Sequence, residues 1–348
     1  MRVFFHPDQH LHDPQQYMRV GRIVDPQDRP ARVDALLAAL SARGITPEPP
    51  ADYGIDPALT VHTEHYLHFL ASAYERWRQI PDAGVEVLPN VSPYWSGRPD
   101  WPHRPPCPSN AVVAQAGYYL GGLSVPIGLH TWRSALKSSH AAMAAADAIV
   151  EGAGSAYALC RPSGHHARAD QANGFCYLNN TAIAAQHLRT RFGRVAVLDV
   201  DAHHGDGTQE IFYRRADVMT VSIHVDPNAY YPFFTGYAHE RGHGEGEGYN
   251  LNIPLHPQSR DPAMFKAVER GLEAVRAFGA EVLVVALGYD SHRDDPIGLL
   301  DVSTSAFGEI GRLVRSVRLP TLIVQEGGYQ ISVIGDCLGA FIDGLREG

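Results

Sequence analysis

The chain has 348 residues, with 45% hydrophobic and 19% charged residues and a formal net charge of -9. That length supports one large buried core, and the acidic balance disfavours a phosphate backbone as partner while mildly favouring a cationic one. No apolar stretch reaches the ~18 residues of a membrane span, and the run at Val3-Phe4-Phe5 is too short for a signal peptide, so the expectation is a cytoplasmic protein without a membrane or nucleic-acid partner.

In chain order, amphipathic spacing predicts helices at 30–42, 64–80 and 134–150. Residues 81–126 break this pattern: they are rich in Pro and Trp, show little periodicity and read as a functional insert loop or an oligomer contact. Short continuous apolar runs at 157–160, 195–198, 282–287 and 321–324 have the character of strands covered on both faces. A further helix is expected at 262–278, with Met264, Phe265, Val268, Leu272 and Val275 on one side. Alternating strands and helices predict an α/β fold: a single domain over 1–348 with a mostly parallel central sheet and helices on both faces. Cys107, Cys160, Cys176 and Cys337 form no CxxC pair and read as reduced thiols.

Ligands of an open parallel sheet bind outside the carboxyl ends of its strands. Here four strands run into polar clusters at that end: Arg161-Pro162-Ser163-Gly164-His165-His166-Ala167, then Asp199-Val200-Asp201-Ala202-His203-His204-Gly205-Asp206-Gly207, then Gly288-Tyr289-Asp290, and finally Glu326-Gly327-Gly328-Tyr329. Asp201 and His203 can face one metal where a strand opens into a loop, and a third ligand such as Asp290 leaves a coordination position for water and substrate. Zinc held that way acidifies water and polarises a scissile carbonyl. The His165-His166 pair offers a general base with an electrostatic partner, and Tyr329 a phenol for a developing oxyanion. Singly, each cluster is as well explained by strand-end hydrogen bonding or core packing; four on one rim point to chemistry.

These four runs, in this order, resemble the signature segments of the histone deacetylase superfamily. The resemblance begins at Val61-His62-Thr63-Glu64-His65-Tyr66-Leu67-His68-Phe69-Leu70 and extends nearly to the end of the chain. The Pro-rich insert, Gly117-Tyr118-Tyr119, Thr131-Trp132 and Asp226-Pro227 are most similar to bacterial acetylpolyamine amidohydrolases. The resemblance implies Asp201, His203 and Asp290 as zinc ligands, and His166 as general base oriented by Asp206. It implies His165 against Asp199 as a charge stabiliser, and Tyr329 as donor to the carbonyl oxygen. It further implies a substrate tunnel with Gly174, Phe175, Tyr231, Gly327 and Gly328. A structural potassium ion would be held by Asp199, Asp201, His203, Ser222 and Ile223, and a buried arginine, Arg32, would lie behind the site. The implied substrate is a small acylated amine such as an acetylpolyamine, and the implied assembly is a homodimer through the 81–126 insert.

Two positions depart from the family pattern. Ser163 stands where a second proline is usual. Val113 and Ser124 stand where polyamine-cleaving relatives carry acids, and nothing from 102 to 146 is Asp or Glu. Acidity at the mouth would then come from Asp226, Glu245, Glu247 or Asp294. Other classes fit less well. A dinuclear manganese ureohydrolase of the arginase type needs a carboxylate where Gly205 stands, a serine hydrolase needs a Gly-x-Ser-x-Gly elbow that is absent, and a non-catalytic module has no use for an intact set of ligands, base and tyrosine. Deacylation of another small amide or of acyl-lysine peptides is the nearest alternative.

Overall fold

In a computed structural model, which describes residues 1–93 and 104–346, the chain forms nine strands and ten α-helices among the described residues. The strands are β1 (Arg2–Phe4), β2 (Tyr17–Arg19), β3 (Arg22–Val24), β4 (Ser155–Ala158), β5 (Val195–Asp199), β6 (Val218–Val225), β7 (Asn250–Leu255), β8 (Val282–Leu287) and β9 (Thr321–Gln325). The helices are α1 (Ala31–Ser41), α2 (Asp56–Leu59), α3 (Glu64–Trp77), α4 (Val112–Tyr119), α5 (Thr131–Val150), α6 (Asn180–Leu188), α7 (Asp206–Phe212), α8 (Asp261–Phe278), α9 (Thr304–Ser316) and α10 (Ile331–Arg346). No helix among the described residues is long and apolar enough to cross a membrane.

Seven strands form one sheet in the order β1-β4-β9-β8-β5-β6-β7, and every pair in it is parallel. β2 and β3 make a separate antiparallel hairpin. The apolar runs are explained by burial on both faces. Leu283, Val285 and Leu287 of β8 join a core with α1, α8, α9 and α10, while Val282 and Val284 face a second core with α5 and α6. The alanines of α5 and α6 let those helices lie close to the sheet; α3 and α4 build a third cluster outside them. The four strands whose ends carry the sequence motifs, β4, β9, β8 and β5, are consecutive neighbours in the sheet.

Three strands of the central sheet escape the sequence pattern. β1 has only three residues, and the buried interior of β6 includes the polar Thr220, Ser222 and His224. β7 alternates Asn with apolar residues and contains Pro254, tolerable because β7 is an edge strand. The insert is more ordered than its composition suggests: α4 packs Tyr119 against Tyr66 and Phe69. Residues 94–103 of that insert lie outside the described residues.

At the start of α3, His62 pins two loops. Its Nδ1 lies 3.0 Å from the Arg168 carbonyl and its Nε2 accepts from the Asn179 N–H at 2.9 Å, which requires a neutral imidazole with the proton on Nδ1. Burial pushes its pKa down to about 4. The unfolded chain takes up a proton here below about pH 6.5 and the folded chain does not, so this stabilisation is present above pH 6.5 and lost as pH falls towards 4. His62→Gln is expected to cost about 1–3 kcal/mol at pH 7. Denaturation midpoints taken between pH 7 and 4.5 should then decline less steeply than in the wild type.

Candidate active site

All four motif segments meet at the carboxyl edge of β4, β9, β8 and β5. Asp199 is the last residue of β5, and the chain then turns so that Asp201 and His203 both face Asp290, which follows β8. His203 Nδ1 lies 3.1 Å from Asp201 Oδ1 and 2.9 Å from Asp290 Oδ2. Among the described residues these three form the one set whose ligand atoms all lie within 4.8 Å of one another, and all are buried.

Outer donors orient the carboxylates. Asp201 Oδ2 accepts from Gly327 N at 2.8 Å, and Asp290 Oδ1 from Ala202 N at 2.8 Å. Burial and the neighbouring Asp201 raise Asp290 to about 7. Burial alone would lower His203, but Asp290 and Asp201 overcome it and raise the imidazole to about 9. Two buried carboxylates thus share a single imidazole, and the cluster is short of positive charge. A divalent cation would supply it, with a donor set of two carboxylate oxygens and one imidazole nitrogen, and the residues fit such an ion.

Beside this cluster stand the two adjacent histidines. His165 Nδ1 is 2.9 Å from Asp199 Oδ2, and His166 Nδ1 is 2.6 Å from Asp206 Oδ1. Their environments push them apart. Burial opposes charge on His165, yet Asp199 and Asp201 hold it well above the ordinary range. Burial and the charge of His165 push His166 down to about 4. Asp206 stays ionised despite burial through its bonds with His166 and Arg168. With Nδ1–H donating to the Asp206 carboxylate, the lone pair of His166 is on Nε2.

A cavity of about 420 Å³ opens from this point to the surface, lined by His166, His203, Gly174, Phe175, Tyr231 and Tyr329 among others. Phe175 and Tyr329 meet edge to face at 5.5 Å, and Tyr231 meets His166 at 5.1 Å. Phe175 holds a left-handed backbone, φ 66, uncommon for a bulky side chain. Gly174 is required by contact: a Cβ there would lie 2.3 Å from the His166 ring. Gly327 and Gly328, expected on the tunnel wall, lie behind it. A Cβ on Gly327 would meet Asp290 Oδ2 at 2.4 Å, and one on Gly328 would meet the Cβ of Tyr289 at 2.7 Å.

Ser222 pairs with Asp199 across the β5–β6 register, and its hydroxyl bonds His224 Nδ1 at 2.9 Å; Ile223 is the next residue of β6. Ser124 lines the cavity, whereas Val113 lies on α4 away from it. Glu245, a candidate for acidity at the mouth, sits beside Gly193, Arg194 and Asp217 at the opposite end of the strands. Asp226, Glu247 and Asp294 are also absent from the lining, whose charged side chain is Arg19.

The sequence reading expected a buried Arg32 behind the site but missed the frame it belongs to. Asp28 Oδ1 accepts from both Arg32 (2.6 Å) and Arg161 (2.8 Å). Arg32 also donates to the carbonyls of Glu326 and Gly328 and lies 4.7 Å over the Tyr329 ring, buried behind the site as the resemblance implied. Glu326 accepts from Gly164 N, His165 N and Thr181 Oγ1, tying the histidine loop to β9. The buried Arg161 beside the histidine pair was the available signal for an acid partner; nothing local marks Asp28 as that partner.

A parallel α/β sheet with two buried carboxylates and an imidazole converging at its carboxyl edge defines an α/β protein with a candidate metal site. A model of the histone deacetylase domain matches residues 26–345. The acetylpolyamine amidohydrolase of Burkholderia pseudomallei (strain 1710b) is 48% identical over 346 residues, spanning 99% of this chain and 98% of that protein. A crystal structure of acetylpolyamine aminohydrolase from Burkholderia pseudomallei, from an iodide soak, matches with a TM-score of 0.94 at 48% identity, covering 99% of this chain and 98% of that one. The acetylpolyamine amidohydrolase of Mycoplana ramosa is 37% identical over 337 residues, 96% of each chain. The chain belongs to the histone deacetylase family, whose members are hydrolytic deacetylases.

The triad predicts one tightly held divalent ion per chain. After chelation, calorimetric titration should return a single high-affinity site, and Asp290→Ala should abolish it while circular dichroism reports an intact fold. Undiminished binding in that variant would remove Asp290 from the ligand set.

Proposed function

We propose that the protein is a zinc-dependent amidohydrolase that removes the acyl group of a small acylated amine, with zinc held by Asp201, His203 and Asp290. The observation that carries this reading is His166, its Nδ1 bonded to Asp206 and its pKa pushed down by burial, facing the same cavity as His203 and Tyr329. Bound there, zinc supplies a Lewis acid for the scissile carbonyl and acidifies the attacking water. His166 Nε2 takes the proton of that water and passes it to the departing amine; Asp206 keeps the ring in the competent tautomer. Burial holds the Tyr329 phenol well above its ordinary range, so it stays protonated and donates to the developing oxyanion. His165, charged against Asp199, offsets negative charge in the transition state. Phe175 and Tyr231 flank the acyl-amine stem and exclude water.

For potassium, the support is that Asp199 and Ser222 are register partners on paired strands, with Ile223 directly after Ser222 and Asp201 and His203 on the turn that follows Asp199. A ureohydrolase-like second metal is disfavoured by space: a Cβ at Gly205 would lie 2.4 Å from Asp199 Oδ2, leaving no room for a bridging carboxylate. The names of the relatives support an acetylpolyamine as the substrate class. A dimer through residues 81–126 that narrows access to the mouth is part of the same proposal, supported by exposed Val85 and Val91 in that segment.

His166→Ala is expected to lower kcat roughly 10²–10⁴-fold, while His165→Ala leaves a measurable remainder with an altered pH profile. The reverse ranking would exchange their roles.

The mouth generates a second expectation. A carboxylate gripping a distal ammonium contributes about 1.5–3 kcal/mol, or roughly 10–100-fold in kcat/KM. No carboxylate lines the cavity among the described residues. Acetylputrescine and acetylcadaverine should therefore be favoured less than about tenfold over a neutral alkyl amide of equal length, and Ser124→Glu should raise that preference. A wild-type preference above about a hundredfold would require an acid from residues 94–103 or a partner chain.

A further inference from the structure

Tyr329 reaches the cavity from a loop that has no regular secondary structure of its own. Besides Gln325, whose amide donates to the Glu326 and Gly327 carbonyls, three side chains from elsewhere in the chain grip that loop. Asp201 Oδ2 takes the Gly327 N–H, Arg32 donates to the carbonyls on either side of Gly327, and the third is Asp295. Its Oδ2 accepts from the backbone N–H of Tyr329 itself at 2.7 Å. Its Oδ1 accepts from Ile297 N and Gly298 N, both at 3.0 Å. Asp295 is 8% exposed, and no ion pair with Lys or Arg is formed by it among the described residues. A buried carboxylate without a cationic partner is costly unless backbone donors satisfy it, and this one is satisfied by two loops at once.

Both loops belong to the site. The turn 295–298 follows Asp290 closely: a Cβ on Gly298 would lie 2.2 Å from the Asp290 carbonyl oxygen, and Ile297 lines the cavity. The second loop carries Tyr329, whose ring rests on Arg32 and Phe175 and whose hydroxyl makes no hydrogen bond among the described residues. The ring contacts fix how the phenol is tilted. Asp295 fixes where its Cα stands relative to Asp290.

We propose that Asp295 is a positioning residue: by binding the Tyr329 N–H it sets the reach of the phenol towards the carbonyl that Asp290's ion would polarise. This rests on the role of Tyr329 proposed above. Asp295→Asn is the direct test, since an amide can keep Oδ1 for Ile297 and Gly298 but then turns an N–H₂ group towards the Tyr329 N–H.

The variant should lose roughly 10–100-fold in kcat, the scale of an ångström-sized misplacement. KM should stay within about threefold, with metal content unchanged. Introduced into a Tyr329→Phe background, the same substitution should cost almost nothing further, because the group it positions is gone. An equal loss in both backgrounds, an unchanged kcat, or a rise in KM alone through the Ile297 wall would each overturn the proposal. Should Asp295→Asn not yield folded protein, Asp295→Ser, which keeps a short acceptor for the turn but cannot span to Tyr329, is measured in the same two backgrounds. A wild-type rate in Tyr329→Phe alone would instead sink the assigned role of the phenol, leaving the Asp295 geometry untouched.

Discussion

The constraint on which the site depends is the burial of three carboxylates, Asp199, Asp201 and Asp290, at the ends of two adjacent strands. Taken out of water without compensation they would repel one another and neutralise. The chain answers with backbone N–H donors on the outer oxygens, a charged His165 on Asp199, and an imidazole between the other two. The remaining deficit of positive charge is what makes the cluster a candidate cation site. Negative charge is concentrated where an ion would relieve it, so an ion bound there would also stabilise the fold.

The same electrostatics divides two neighbouring histidines. His165 and His166 are consecutive, equally buried and 4.1 Å apart between ring centroids. Two charges at that distance in a dry site are unfavourable, so one ring carries the proton and the other stays neutral. Asp199 lies within the charge cluster and captures the proton for His165. Asp206, already satisfied by Arg168, only orients His166. Two rings of opposite protonation tendency therefore arise from one dipeptide through what lies behind each.

Behind both stands the Asp28–Arg32–Arg161 frame, which joins the N-terminal segment, the histidine loop and the tyrosine loop. One carboxylate shared by two buried guanidiniums leaves a net positive charge next to an acidic cluster, so the frame and the carboxylate cluster offset each other across the Tyr329 ring. The long separation of these residues in the chain means that the site forms only when most of the fold does.

What the sequence by itself determined is local and periodic. Apolar runs at 195–198 and 282–287 match β5 and β8 closely because burial on both faces leaves no room for polar residues. The helices α1, α3, α5 and α8 follow from their amphipathic spacing. The motif residues were legible because metal and proton chemistry demands rare residue types at strand ends. β6 and β7 were not, because their polar side chains are satisfied by distant partners such as Asn250 with Thr220 and Asn252 with Gln209. The order β4-β9-β8-β5 was also beyond it: strand adjacency depends on crossovers and packing, and local spacing carries no trace of it. Only that order makes neighbours of His165, Tyr329, Asp290 and Asp201. Only the tertiary fold, in turn, gives Asp28, Glu326 and Asp295 their work, since a buried carboxylate is defined by the donors that surround it and those donors come from the whole length of the chain.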